Sequence, residues 1–235
     1  MPLETSESGL HNDSDLLADE GSAPETGLAG ERRQDAPEPQ RLCVVGLGNP
    51  GPRYAQTRHN IGFQVLDRLA DMLNIRESSF VTNQYQATGR HGDWSVILCK
   101  PWTYMNLSGE AVILLMDQFD LQPAELLVVY DEVQLPLGHL RLRSRGSDGG
   151  HNGLASVIEK VGTDKIPRMR CGVDFSTESA DLAEYVLSPF KVEELPHAAS
   201  MVDRAADAVL AIMDIGMQRA MNVFNTPPIT HQDTL

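Results

Sequence analysis

The sequence predicts a single α/β domain of three layers, with a mixed central sheet flanked by helices and a disordered acidic tail in front of it. Three observations predict it. Apolar runs of strand length alternate with segments whose apolar residues recur every three to four positions, the pattern of strands joined by helices. Two strand-like runs meet at a tight turn, which makes the sheet mixed rather than purely parallel. With 235 residues, 41% of them hydrophobic, the chain can bury one substantial core.

The elements follow in order. Residues 42–47 read as a buried strand, and 61–73 as a helix with Ile61, Val65, Leu66, Leu69 and Leu73 on one face. Residues 85–89 and 95–99 flank the turn signal His91-Gly92-Asp93 and form a hairpin. After Lys100-Pro101-Trp102-Thr103-Tyr104-Met105-Asn106 a helix runs from Ser108, its expected N-cap, to Phe119. Residues 126–130 form a buried strand ending at Asp131, and 139–145 an alternating one. A loop over 146–150 leads into a helix over 152–161, then come a strand over 169–173 and a short helix over 180–187. From 192 to 224 apolar residues keep helical spacing, with Pro196 tolerated near the start.

Residues 1–40 stand apart, with 41–227 as the folded domain and 228–235 as a flexible C-terminal tail. The first segment holds ten acids against Arg32 and Arg33, so it carries −8 of the formal −14, and it has no aromatic residue. It buries too little apolar surface to offset its ordering entropy. Acid-rich and without an apolar core, it is neither a transit nor a secretory peptide. No apolar stretch is long enough to cross a bilayer. Cys43, Cys99 and Cys171 each sit in or at the end of a strand-like run, odd in number and unpaired in spacing. Buried reduced thiols in a cytoplasmic protein fit that pattern.

The most informative segment is Val45-Gly46-Leu47-Gly48-Asn49-Pro50-Gly51, continued by Tyr54 and Thr57-Arg58-His59-Asn60. It reads literally as G-x-G-x-x-G after a strand, with Asp67 about 20 residues on, as a dinucleotide fingerprint requires. That fingerprint needs a helix starting at the third glycine to hold the pyrophosphate. Pro50 and Pro52 bracket this glycine, and the next helix starts near Asn60, so no nucleotide cofactor is expected.

What the loop offers instead is a base and fixed dipoles. His59 carries an imidazole, which can take a proton from water. Asp131 ends a buried run and needs a partner, for which an imidazole is the natural choice; a turn cap is the competing reading. Asn49, Asn106 and Asn152 can orient a carbonyl, a water or an oxyanion without a charge of their own. Each also has a structural explanation, as turn former, near-cap or first-turn residue. Asn49, Asn106 and Asp131 lie just past strand ends, where ligands gather in open α/β sheets. Neither a G-x-S-x-G elbow nor H-E-x-x-H metal spacing occurs. Direct attack by a histidine-activated water, without metal or cofactor, is the economical mechanism.

The charge pattern points to a partner. Arg141, Arg143 and Arg145 fall at period two, on one sheet face, opposite Leu140 and Leu142. Such a stripe suits a phosphate backbone, with Lys100, Arg168 and Arg170 as extensions. A solvated edge strand protected by charge is the alternative.

Over residues 42–190, with looser helical similarity to 224, these features resemble the bacterial-type peptidyl-tRNA hydrolases. The resemblance rests on four ordered blocks: Val45–Gly51 with Tyr54 and Thr57–Asn60; Lys100–Asn106 with Leu107-Ser108-Gly109; Tyr130-Asp131-Glu132 with Leu135-Pro136-Leu137-Gly138; and Gly149-Gly150-His151-Asn152-Gly153-Leu154. It implies hydrolysis of the ester joining a peptide to the terminal ribose of tRNA, by a monomeric cytoplasmic enzyme. On that resemblance His59 is the general base, Asp131 its orienting acid, and Asn49 a catalytic partner holding water and peptide. Tyr54, Asn60, Met105, Asn106 and Asn152 are substrate-binding residues, and Arg141, Arg143, Lys100 and Arg168 contact tRNA.

The chain departs from the pattern at Gln134, where an acid is usual, and at Asp148, which adds a negative charge to the glycine loop. Asp174-Phe175-Ser176 also replaces the usual Gly-Arg-Pro. The same fold resembles a plant organellar RNA-splicing factor, so a non-catalytic RNA-binding protein is the alternative reading.

Overall fold

The computed structural model describes residues 39–175 and 181–227. The expected acidic tail over 1–40 and C-terminal tail over 228–235 therefore lie almost wholly outside the described residues. Strand β1 (Gln40–Gly46) begins two residues earlier than expected and is buried from Leu42 onward. Helix α1 (Ile61–Met72) follows, then β2 (Ser79–Val81), β3 (Gln84–His91) and β4 (Trp94–Pro101). Next come α2 (Ser108–Phe119), β5 (Leu126–Glu132), β6 (Leu140–Arg143), α3 (Asn152–Val161) and β7 (Arg168–Gly172). The described chain ends with α4 (Leu182–Val186), α5 (Leu195–Ile215) and α6 (Met217–Phe224).

The seven strands are ordered β2-β3-β4-β1-β5-β7-β6. β4, β1, β5 and β7 run parallel, while β2, β3 and β6 are antiparallel to their neighbours, so the sheet is mixed as expected. Alternate residues of the central strands feed two cores. Val44, Leu98 and Val129 pack against α1 and α5, whereas Val45, Cys99 and Val128 pack against α2 and α3. That two-sided burial makes three layers and explains why β1 and β5 read as unbroken apolar runs. All three cysteines are free and buried, and burial raises the thiols of Cys43, Cys99 and Cys171 well above the usual range. No helix among the described residues is long and apolar enough to cross a membrane.

Three expectations need correction. Strand β2 was not expected; it is exposed throughout and carries no alternation, and it exists because Thr82 and Asn83 take positive φ and turn the chain back along β3. Ser108 is the first residue of α2 rather than its cap, and its hydroxyl donates to the Met105 carbonyl. The long C-terminal helix is two helices, because Gly216 sits at φ 84° between α5 and α6.

Among the described residues the outer edge of β6 has no strand beside it. Asn225, just past α6, closes it: its Oδ1 accepts from the Leu142 N–H at 2.6 Å and its Nδ2 donates to the Leu142 carbonyl. A carboxamide thus substitutes for a neighbouring backbone.

The first turn of α1 lies on backbone, not on side chains. A Cβ at Gly62 would meet the Val129 carbonyl oxygen at 2.4 Å and the Leu47 nitrogen at 2.5 Å, and one at Gly46 would meet the Gly62 oxygen at 2.3 Å. Only glycine permits this approach, which sets the residues preceding α1 beside the end of β5. Gly62→Ala should therefore destabilise the fold by about 1–3 kcal/mol in urea titrations, the usual cost of overpacking. An unchanged midpoint would show that the contact relaxes freely.

Candidate active site

Two tight turns lead from β1 into α1, over Pro52–Tyr54 and Arg58–Asn60. The first is a three-residue 3-10 turn capped by Gly51 with proline at its start, not the α-helix that a pyrophosphate-binding fingerprint places there. The second turn carries His59, and it is fastened from below. Arg58 is buried, donates to the Ser188 hydroxyl at 2.8 Å, pairs with Glu194, and stacks on Tyr185 and Phe190. The sequence reading gave Arg58 no role, because its partners lie about 130 residues away in the chain.

His59 and Asp131 come together. The Nδ1 of His59 lies 2.8 Å from Oδ1 of Asp131. A second imidazole converges on the same oxygen, with Nε2 of His151 at 3.0 Å. The Nδ1 of His151 accepts from the Leu154 N–H at 3.2 Å, as the N-cap of α3. That acceptor role fixes the proton of neutral His151 on Nε2, which donates to Asp131. On His59 the Nδ1–H donates in the same way, leaving Nε2 as the free base. His151 was singled out only as part of a motif; its signal was its place as the last loop residue before α3.

Burial alone would raise the Asp131 carboxyl, but attraction and hydrogen bonds from His151 and His59 outweigh it and hold the group well below the usual carboxylate range. The three side chains are also close enough to bracket a metal ion. Their facing atoms already hydrogen-bond one another, so a cation there would have to break both contacts.

Amides form the opposite wall. Asn49 is buried, and its Oδ1 accepts from the Met105 N–H at 2.9 Å. Its Nδ2 has no partner among the described residues, and Asn49 lines the crevice. Asn60 does not reach that crevice. Its carboxamide brackets the backbone of Asn49, accepting from the N–H at 2.8 Å and donating to the carbonyl at 2.9 Å. Asn60, expected to bind substrate, does not line this crevice; it positions Asn49. Met105 is buried against Gly153, where a Cβ would lie 2.4 Å from its sulfur.

The crevice has a volume of about 860 Å³ and is lined by His59, Asp131, His151, Asn49, Asn106 and Asn152, with Tyr54, Tyr104 and Met105 at its side. Leu182, Val186 and Leu187 of the α4 segment add an apolar flank. Asp148 does not point its charge at a ligand; its Oδ1 accepts from the Gly150 N–H at 2.7 Å and shapes the loop.

The basic residues divide. Arg141 and Arg143 are exposed on β6, with Leu140 and Leu142 buried between them. Across the ladder they face Arg170 and Arg168. Like charges opposite one another repel unless neutralised. Arg170 pairs with Glu132, and Arg168 is buried, with its guanidinium committed to the carbonyls of Ile166, Gly146, Ser147 and Asp164. Arg168 therefore organises the loop and is not a surface tRNA contact. Lys100 is also displaced from the stripe: it pairs with Asp67 and lies over Phe63, in a separate groove.

A carboxyl held below its unfolded value of about 4 contributes stability above that pH and loses it as pH falls toward the folded value. The stability difference between the wild type and Asp131→Asn should accordingly be present above about pH 4 and shrink below it. Urea titrations across that range check this, and a difference indifferent to acid would contradict the ionised pairing.

Residues 43–232 match the family profile described as peptidyl-tRNA hydrolase. The peptidyl-tRNA hydrolase of Aquifex aeolicus is 42% identical over 182 residues, covering 77% of this chain and 95% of that protein. That of Bacillus subtilis is 42% identical over 184 residues, covering 78% and 98%. The crystal structure of the Acinetobacter baumannii peptidyl-tRNA hydrolase superposes with a TM-score of 0.74 at 31% identity, over 79% of this chain and 95% of that one.

Proposed function

This chain belongs to the peptidyl-tRNA hydrolase family, and on that premise we propose how its residues cleave the ester between a peptide and tRNA. The observation that carries the reading is the free Nε2 of His59, its ring held through Nδ1 by Asp131 at the wall of the crevice.

Nε2 of His59 takes a proton from water as the water oxygen attacks the ester carbonyl carbon. Asp131 stabilises the imidazolium that forms and keeps the ring in the competent tautomer. The carbonyl oxygen becomes an oxyanion, and the amide donors of Asn49, Asn106 and Asn152 are the neutral dipoles available to it. As the tetrahedral species collapses, the bond to the ribose oxygen breaks and that oxygen takes the proton from His59. The peptide leaves as a carboxylic acid and the tRNA with its hydroxyl restored. His151 donates to the same oxygen of Asp131 and so helps hold the carboxylate against His59.

Arg141 and Arg143 are the residues we assign to tRNA phosphates. They are exposed on an edge strand braced by Asn225, beside the glycine loop that borders the crevice. Three buried thiols suit the reducing cytoplasm.

Release of labelled N-acyl-aminoacyl ester from tRNA tests the reaction. His59→Ala should lower turnover by about 10²-fold or more; unchanged turnover would reject the mechanism. Clean wild-type protein that binds tRNA without turnover would return the reading to a binding protein. Arg141→Ala combined with Arg143→Ala should raise KM and flatten its salt dependence while sparing hydrolysis of a tRNA-free ester fragment. Equal damage to both substrates would take the tRNA contact away from these arginines.

A further inference from the structure

A second groove, of about 600 Å³, lies between α1 and the β3–β4 hairpin. Phe63, Tyr85 and Trp102 line it, and the run of aromatic rings continues past its edge to Phe80. Phe63 stacks on Trp102 with centroids 6.3 Å apart, Trp102 meets the edge of Tyr85 at 4.8 Å, and Tyr85 meets Phe80 at 5.0 Å. The outer two rings are open to solvent, Phe80 at 52% and Tyr85 at 38%. Exposed rings in a chain of contacts, on an otherwise charged surface, are the mark of a binding surface rather than of a closed core.

The groove adjoins the catalytic crevice. Asn49 lines both cavities, and the short segment from Trp102 to Met105 passes from one to the other. Its charge differs from that of the arginine stripe. The two cations on its walls are paired, Lys100 with Asp67 and Arg76 with Asp71, which leaves Glu77 without an ion pair among the described residues. A phosphodiester finds no free cation there, and aromatic faces attract apolar and cationic side chains instead. The strand order puts the two surfaces at opposite ends of the sheet, β6 with its arginines at one and the hairpin at the other, with β1 and the His59 turn between them.

A substrate with RNA on one side of its ester and peptide on the other matches this layout. Resting on the hydrolase reading above, we propose that the groove takes the peptide: residues beyond the ester-linked one, preferably apolar or aromatic, lie along Trp102, Tyr85 and Phe80. The groove then sets which peptidyl-tRNAs are cleaved fastest, while His59 sees the same ester in all of them.

The test compares kcat/KM for tRNA carrying N-acetyl-phenylalanine, a tetrapeptide rich in phenylalanine, and a tetrapeptide of glycine and serine. Wild type should favour the aromatic tetrapeptide over both others. Phe80→Ala combined with Tyr85→Ala should erase about tenfold of that preference, the scale of an aromatic contact or two, and leave N-acetyl-phenylalanyl-tRNA unaffected. These rings are exposed, so the fold should survive; Trp102→Phe gives a second variant that keeps the stacking on Phe63. Equal loss on all three substrates, or a wild type indifferent to the peptide, would overturn the proposal. Failure of wild type to cleave any of them would instead sink the hydrolase reading itself.

Discussion

One buried carboxylate organises the centre of this molecule. Asp131 is 3% exposed at the end of β5, where an unpaired charge would cost several kcal/mol. It persists because two imidazole N–H groups converge on one of its oxygens. Those imidazoles come from opposite layers: His59 from the turn before α1, His151 from the N-cap of α3. The same interaction therefore ties both helix layers to the strand between them, and a base poised for water follows from the way the layers are joined.

The layers can meet there only because side chains are missing where backbones approach. Gly46 and Gly62 bring α1 onto β1 and β5, and Gly109 brings α2 onto α3, where a Cβ would lie 2.1 Å from the Ser156 oxygen. Polar side chains then close the main-chain groups that no strand or helix satisfies. Asn60 brackets Asn49, Asn225 brackets Leu142, and Arg168 gathers four carbonyls of the segment around β6 and β7. Three residues that look like surface or ligand-binding groups thus serve backbone accounting.

This divides what the sequence makes legible from what it does not. Strands β1 and β5 and helix α3 were readable because burial on both faces, or on one helical stripe, writes directly into residue type. Asn49, His59 and Asp131 were readable because each stands at the edge of such an element: Asn49 after β1, His59 before α1 and Asp131 at the end of β5. Arg168 was not: Arg168-Met169-Arg170 alternates as a half-solvated strand does, and only the tertiary arrival of the Gly146 and Asp164 carbonyls buries the first arginine. Asn60 was misread for the same reason, since a carboxamide beside a catalytic histidine looks like a ligand group until its partner eleven residues back is known. The break at Gly216 was hidden because apolar spacing continues through it into α6.

The electrostatics show why overall charge was a poor guide to the partner. The chain carries −14, yet −8 of it belongs to residues 1–40, and what a polyanion meets is the local surface within about a Debye length, roughly 8–10 Å. On β7, across the ladder from β6, Arg170 is paired with Glu132 and Arg168 is turned inward onto carbonyl dipoles. Arg141 and Arg143 are the arginines of this ladder that face solvent on β6. An acidic protein can then present a short positive edge to RNA. Its opposite sheet edge, with cations already paired, stays open to a peptide.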